Sequence, residues 1–337
     1  MTNSLIIYLI SFLLINLFFI LNLNSISKNI NLYDFPDEKR KIHKIPTPLI
    51  GGSLIFFNSL FFVIFFFIID KSYIFNSFYL SELKAFIYFF ITFTLIFLIG
   101  IYDDKYKMSA LLRLIILSLI ILLYLKTDNT SLLSRINFSF VENEISLNYG
   151  SSFFTYLCLI VLIISCNMFD GVNLQSFIFY FSNFLILFII NPNIFVLNCC
   201  LSLLIFGFFN YKGKIFLGDS GVYLLSLFLG ILYIKYYNFN MGNLSGDIVF
   251  SFLFFPVLDA GRCVLMRLVN GINPFNADRL HFHHILLNRF SFKISLIILS
   301  FFIILPFIIY SLKITSLISI LITSTLYLFL FFKCHKK

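Results

Sequence analysis

The sequence has no tryptophan, and charged residues make up only 12% of it. A soluble domain is about a quarter charged and about half apolar. Here 60% of the residues are hydrophobic, so lipid is the solvent for most of the chain. Without tryptophan, any aromatic belt at the membrane interface falls to the 18 tyrosines. No polar stretch is long enough for a second, soluble domain, and residues 1–337 read as one membrane-embedded domain. The six cysteines, Cys158, Cys166, Cys199, Cys200, Cys263 and Cys334, lack metal-ligand or disulfide-framework spacing and read as buried thiols. The N-terminus lacks a positive region before its first apolar run and a small-residue cleavage site, so that run is expected to be a retained span. No internal repeat is visible, which removes the inverted-repeat signature of many transporters.

What the chain does have is long apolar runs. A span needs about 20 mainly apolar residues. Eleven candidates follow, near 4–23, 49–69, 83–101, 109–125, 153–166, 174–190, 194–210, 220–236, 247–269, 294–310 and 315–332. The expected fold is an all-α polytopic membrane protein. Of the 24 Lys and Arg residues, 17 fall in the odd-numbered loops and C-terminus and 6 in the even-numbered loops. That bias puts the odd loops in the cytoplasm, the N-terminus outside and the C-terminus inside. The net charge of +9 then reflects loops facing anionic lipid and not a nucleic-acid surface. In the long even loop 126–152, alternating stretches at 136–140 and 145–148 flank Glu142-Asn143-Glu144, which reads as a small outward-facing β-hairpin.

Chemistry-bearing residues collect in the odd loops. The first carries Lys39, Arg40, Lys41, His43 and Lys44 beside Pro46, Pro48, Gly51 and Gly52, a stiff loop able to present cations to phosphate, or a plain positive-inside cluster. The third holds Asp103 and Asp104, neighbouring carboxylates that need a cation or proton between them. Mg²⁺ takes such oxygen ligands; Lys105 and Lys107 offer simple neutralisation instead. The fifth contains Asn167, Asp170, Gly171 and Asn173, where polar groups interrupt an apolar run. The seventh contains Phe216, Gly218 and Asp219 at the start of a span, which suits either a ligand site or an N-cap. The ninth reads Asp278-Arg279-Leu280-His281-Phe282-His283-His284, three of the five histidines within four positions. Zinc-finger partners are missing, and diphosphate binding by Arg279 and the histidines fits better. The preceding span carries Asp259 and Arg262 three positions apart, on one helical face. All five groups fall on the side that the Lys and Arg counts make cytoplasmic.

In these motifs the sequence resembles the polyprenyl-phosphate N-acetylhexosamine-1-phosphate transferases, over roughly residues 34–290 and in family order. The segment from Pro256 through Asp259 and Arg262, then Pro274, Phe275, Asp278, Arg279 and the histidines, carries most of the likeness. It is closer to the bacterial branch that begins O-antigen, enterobacterial common antigen or teichoic-acid linkage synthesis than to the peptidoglycan translocase. The resemblance implies an enzyme of the bacterial cytoplasmic (inner) membrane, with its active site on the cytoplasmic face. Such an enzyme transfers N-acetylhexosamine-1-phosphate from UDP-N-acetylhexosamine to undecaprenyl phosphate and releases UMP. It implies Mg²⁺, with Mn²⁺ as the alternative, and is compatible with a homodimer. By the same resemblance Asp219 ligates the metal, and Asp103 and Asp104 deprotonate the lipid phosphate or assist the metal. Asn167 and Asp170 lie in the nucleotide site, Phe216 stacks on uracil, and Lys41, His43, Arg262, Arg279, His281, His283 and His284 bind substrate.

The chain departs from that family's pattern. Asn173 stands in place of a second acid, Leu174 in place of a glycine, and Ile164 in place of an asparagine. Lys212-Gly213-Lys214 replaces Pro-Ala-Lys one residue short, which unsettles the alignment of Asn210. Two other functions compete. A transporter or channel would suit eleven spans, although its charges belong near mid-membrane. An inactive relative that anchors other biosynthetic proteins would suit the departures at 173 and 174.

Overall fold

Lipid offers no partner to a backbone N–H or C=O, so long apolar runs close their hydrogen bonds internally as helices. The computed structural model describes residues 2–36, 45–79, 82–239, 244–274 and 279–335. In chain order its elements are α1 (Thr2–Leu21), α2 (Leu23–Ile30), β1 (Tyr33–Asp34), β2 (Thr47–Pro48), α3 (Gly51–Ile69), α4 (Ser72–Phe78), α5 (Leu83–Tyr106), α6 (Ala110–Thr127), β3 (Arg135–Phe138) and β4 (Val141–Ser146). There follow α7 (Ser151–Phe169), α8 (Gln175–Ile190), α9 (Ile194–Tyr211), α10 (Gly218–Phe239), α11 (Gly246–Val269), α12 (Phe282–Arg289), α13 (Phe292–Ser311) and α14 (Ser316–His335).

Among the described residues ten helices are long and apolar enough to cross a membrane: α1, α3, α5, α6, α7, α9, α10, α11, α13 and α14. The expected span near 174–190 is α8, an apolar helix of 16 residues that falls short of that length. The polytopic helical fold is as expected, and among the described residues ten of the eleven expected spans are helices of full spanning length.

The chain divides into two compact units, Met1–Met108 with Leu187–Leu224, and Ser109–Ile186 with Leu225–Lys337. In the first, α3 packs on α9 and α1. Polar pairs tie these helices inside the apolar packing: Tyr8 donates to Asn198 at 2.6 Å, and Asn16 and Asn58 exchange amide hydrogen bonds at 3.0 and 3.1 Å. The loop after α9 runs back along the start of α3. Phe216 N–H donates to the Pro48 carbonyl, while Gly51 and Gly52 donate to the carbonyls of Phe216 and Leu217, each at 2.9 Å.

In the second unit α11 is central, packing on α7, α13 and α14. The expected hairpin is present as antiparallel β3 and β4, with Ile136 opposite Ile145. Its turn differs from the sequence reading. The chain reverses at Ser139 and Phe140, and Glu142, Asn143 and Glu144 lie within β4. Asp247 accounts for the position: it accepts the Ser139 N–H at 2.8 Å and the Ser139 hydroxyl at 2.6 Å. A buried ion pair, Lys235 Nζ to Asp128 at 2.6 Å, joins α10 to the turn after α6.

Candidate functional site

In the first unit the acidic pair sits at the end of α5, and its two members do different things. Asp103 is buried, accepting the Tyr223 hydroxyl at 2.6 Å and the Met108 N–H at 2.8 Å. Asp104 is half-buried and caps α10. Its Oδ1 accepts the Asp219 N–H at 2.7 Å and its Oδ2 the Ser220 N–H at 3.1 Å. The first N–H groups of a helix have no internal partner, so this side chain satisfies two of them at once. Gly218 makes the approach possible: its φ is +74°, and a Cβ there would lie 2.7 Å from Asp104 Oδ2.

Asp219 is thereby held beside Asp104 at a helix N-terminus, and is itself half-buried. Two neighbouring carboxylates repel unless a cation or proton stands between them. Hard carboxylate oxygens are the donors that Mg²⁺ selects, so Asp104 and Asp219 fit that ion by chemistry. Asp103, with an oxygen committed to Tyr223 and the other to Met108, faces inward. Phe216 is half-buried, its backbone pinned by the ladder to Pro48 and Gly51; Asn210 holds the same loop by donating to the Ile215 carbonyl at 3.0 Å.

In the second unit Asn167 ends α7 and accepts from Arg113 at 3.1 Å. Asp170 accepts the Ser176 hydroxyl at 2.5 Å across the turn into α8. Leu174, where the resembling family carries glycine, adopts φ +68°, a conformation that costs an L residue roughly 1–2 kcal/mol. Gly171 lies directly against His283: a Cβ on it would meet the ring Nε2 at 2.2 Å. His283 is buried, and burial, then the neighbouring His284, hold its pKa well below the usual imidazole value. It is a neutral ring, not a cation. His281 stacks on His283 with ring centroids 5.6 Å apart, and His284 is half-buried.

Arg262 is drawn inward. Its Nη2 donates to Asp259 Oδ1 at 2.8 Å and to the Leu280 carbonyl at 2.6 Å, and its Nε donates to the Tyr327 hydroxyl. Arg279 is exposed two residues before His281. Lys41 and His43 lie outside the described residues.

The structure thus groups Asp103, Asp104, Phe216 and Asp219 in one unit, and Asn167, Asp170, Arg262 and the histidines in the other. Sequence reasoning missed Tyr223, Tyr327, Arg113 and Ser176, which hold the functional side chains. A tyrosine or serine inside an apolar run carries no signal of its own, because most such residues are packing or interface groups.

Residues 86–237 match the model of glycosyl transferase family 4. The match takes in Asp103, Asp104, Asn167, Asp170, Phe216 and Asp219. The chain is also 26% identical over 293 residues to the undecaprenyl-phosphate α-N-acetylglucosaminyl 1-phosphate transferase of Thermotoga maritima, covering 84% of this chain and 83% of that one. Enzymes of the same name from Salmonella typhi and Escherichia coli O157:H7 are each 23% identical over 291 residues, 83% of this chain and 75% of theirs.

Proposed function

We propose that this protein transfers N-acetylhexosamine-1-phosphate from a UDP-N-acetylhexosamine to undecaprenyl phosphate, releasing UMP and beginning a cell-surface polysaccharide such as O-antigen, common antigen or a teichoic-acid linkage unit. The observation that carries the reading is the Asp104–Asp219 pairing at the start of α10, inside the glycosyl transferase family 4 match. The names of the relatives supply the acceptor and the sugar phosphate. The excess of Lys and Arg in the odd loops supports a cytoplasmic site in a bacterial inner membrane.

Phosphoryl transfer asks the protein mainly for positioning and charge neutralisation. Asp104 and Asp219 would hold Mg²⁺, which when bound neutralises charge on diphosphate oxygens. An oxygen of the lipid phosphate attacks the β-phosphorus of the UDP-sugar, and the bond to the UMP oxygen breaks. Asp103, fixed by Tyr223, keeps the end of α5 in place so that Asp104 can cap α10. Phe216 offers an aromatic face to uracil from a loop whose backbone cannot swing. Asn167 and Asp170 serve the nucleotide by hydrogen bonding. Arg279, His281 and His284 donate to the diphosphate, and the neutral His283 contributes a hydrogen bond without charge.

The test is UMP release by the purified full chain in detergent. Release should require both undecaprenyl phosphate and Mg²⁺ and stop when EDTA is added. UMP release that is indifferent to the lipid, or none with any UDP-amino sugar, would overturn the reading.

A further inference from the structure

Asp259 lies in the middle of a buried network around His281 and is itself given no part in the proposed chemistry. Its Oδ2 is 3.0 Å from His281 Nδ1. Its Oδ1 accepts from Arg262 at 2.8 Å, from the Tyr327 hydroxyl at 2.6 Å and from the Phe282 N–H at 3.1 Å. Arg262 extends the grip to the Leu280 carbonyl, at 2.6 Å. One carboxylate on α11, with a guanidinium from the next turn and a phenol from α14, thus fixes three consecutive residues: the Leu280 carbonyl, the His281 ring and the Phe282 amide. Held at three consecutive residues, the buried His281 ring keeps a single orientation.

We infer that Asp259, Arg262 and Tyr327 are positioning residues that set the tautomer and orientation of His281. An ionised carboxylate only accepts hydrogen bonds, so the proton between Asp259 and His281 belongs to Nδ1. That leaves Nε2 as the nitrogen presented to a ligand, and a carboxylate behind the ring stabilises the imidazolium that a diphosphate would favour. Tyr327 ties this orientation to the C-terminal helix, far in sequence from every motif. The inference rests on the transferase reading for what His281 binds, but the tautomer is a property of the chain alone.

A metal site made of the same atoms is the competing arrangement, since Asp259, Cys263 and His281 bring their ligand atoms within 4.8 Å of one another. Arg262 opposes it. Its Nη2 stands 2.8 Å from Asp259 Oδ1 and 3.2 Å from Cys263 Sγ, so positive charge already covers two of the three donors.

The experiment is solid-state nitrogen NMR of the full chain in liposomes with ¹⁵N-labelled histidine, the His281 signals being those lost in His281→Gln. The expected result is a protonated Nδ1 on His281. A proton on Nε2 alone would overturn the inference, as would one equivalent of zinc in the purified protein that disappears in Cys263→Ser. In the lipid-transfer assay Asp259→Asn should lower kcat about 10- to 100-fold with KM for the UDP-sugar little changed. Tyr327→Phe, a milder change that keeps the ring packing, should lower kcat in the same direction. An unaltered kcat in both variants would also overturn it. If instead the wild-type protein makes no lipid-linked sugar, the transferase reading fails while the nitrogen signals still decide the tautomer.

Discussion

Asp104 caps the helix that carries Asp219: its Oδ1 stands 2.7 Å from the Asp219 backbone nitrogen. A residue from α5 therefore decides where the first turn of α10, and the carboxylate on it, comes to rest. Asp104→Asn keeps the shape but turns one acceptor into an amide that faces an N–H group. The lost cap should cost about 1 kcal/mol of stability. Transfer activity should drop by about tenfold or more, because Asp219 shifts and one carboxylate of the proposed metal pair is lost. Thermal unfolding and UMP release on the same preparation measure the two effects.

Gly171 and His283 make a second testable contact. A methyl group at 171 would sit 2.2 Å from His283 Nε2, so Gly171→Ala must displace the ring or the loop. Activity should fall sharply. Gly261→Ala is the control: that glycine lies within α11 with nothing near its absent Cβ, and alanine there should stabilise the helix by roughly 1 kcal/mol. Equal losses in the two variants would contradict the contact.

His283 also sets a pH dependence. Burial lowers its pKa in the folded chain, so below the unfolded value of about 6.5 the unfolded state binds more protons. Its contribution to stability is complete above that pH and is lost as pH falls towards the folded pKa. Melting temperature should decline as pH is lowered from 6.5, and His283→Gln should flatten the decline. A slope unchanged by the substitution would show that other groups cause it.

Lys235 and Asp128 are the buried ion pair that holds α10 to the turn after α6, with side chains 1% and 3% exposed. Removing one partner strands a buried charge, which typically costs about 3–5 kcal/mol. Lys235→Met should therefore lower the melting temperature strongly. Adding Asp128→Asn should restore much of the loss, because the neutral side chain can still serve Thr130 and Ser131.

The spans were legible because apolar length is a property of the sequence itself. The hairpin was legible as alternation, but its turn was not, because Asp247, more than a hundred residues away, fixes it at Ser139. Asp103 and Asp104 look equivalent on paper. Only packing separates them, sending one to Tyr223 and the other to the head of α10. Arg262 was legible as one of two charges on a helical face, and the resemblance put it among the substrate-binding residues. Tyr327 and the Leu280 carbonyl, which occupy it, come from sequence positions that no local pattern connects. The strain at Leu174 became visible only once its φ was known, although its replacement of a family glycine marked the position.

The most direct measurement is transfer of radiolabel from UDP-N-acetylhexosamine into an organic-extractable lipid, in membranes carrying this chain with added undecaprenyl phosphate and Mg²⁺. The proposed function predicts labelled lipid and equimolar UMP with the wild-type chain, and neither with Asp219→Asn. Full labelling by Asp219→Asn would contradict the assignment of the metal site. No labelled lipid from the wild-type chain with any UDP-amino sugar would contradict the transferase itself.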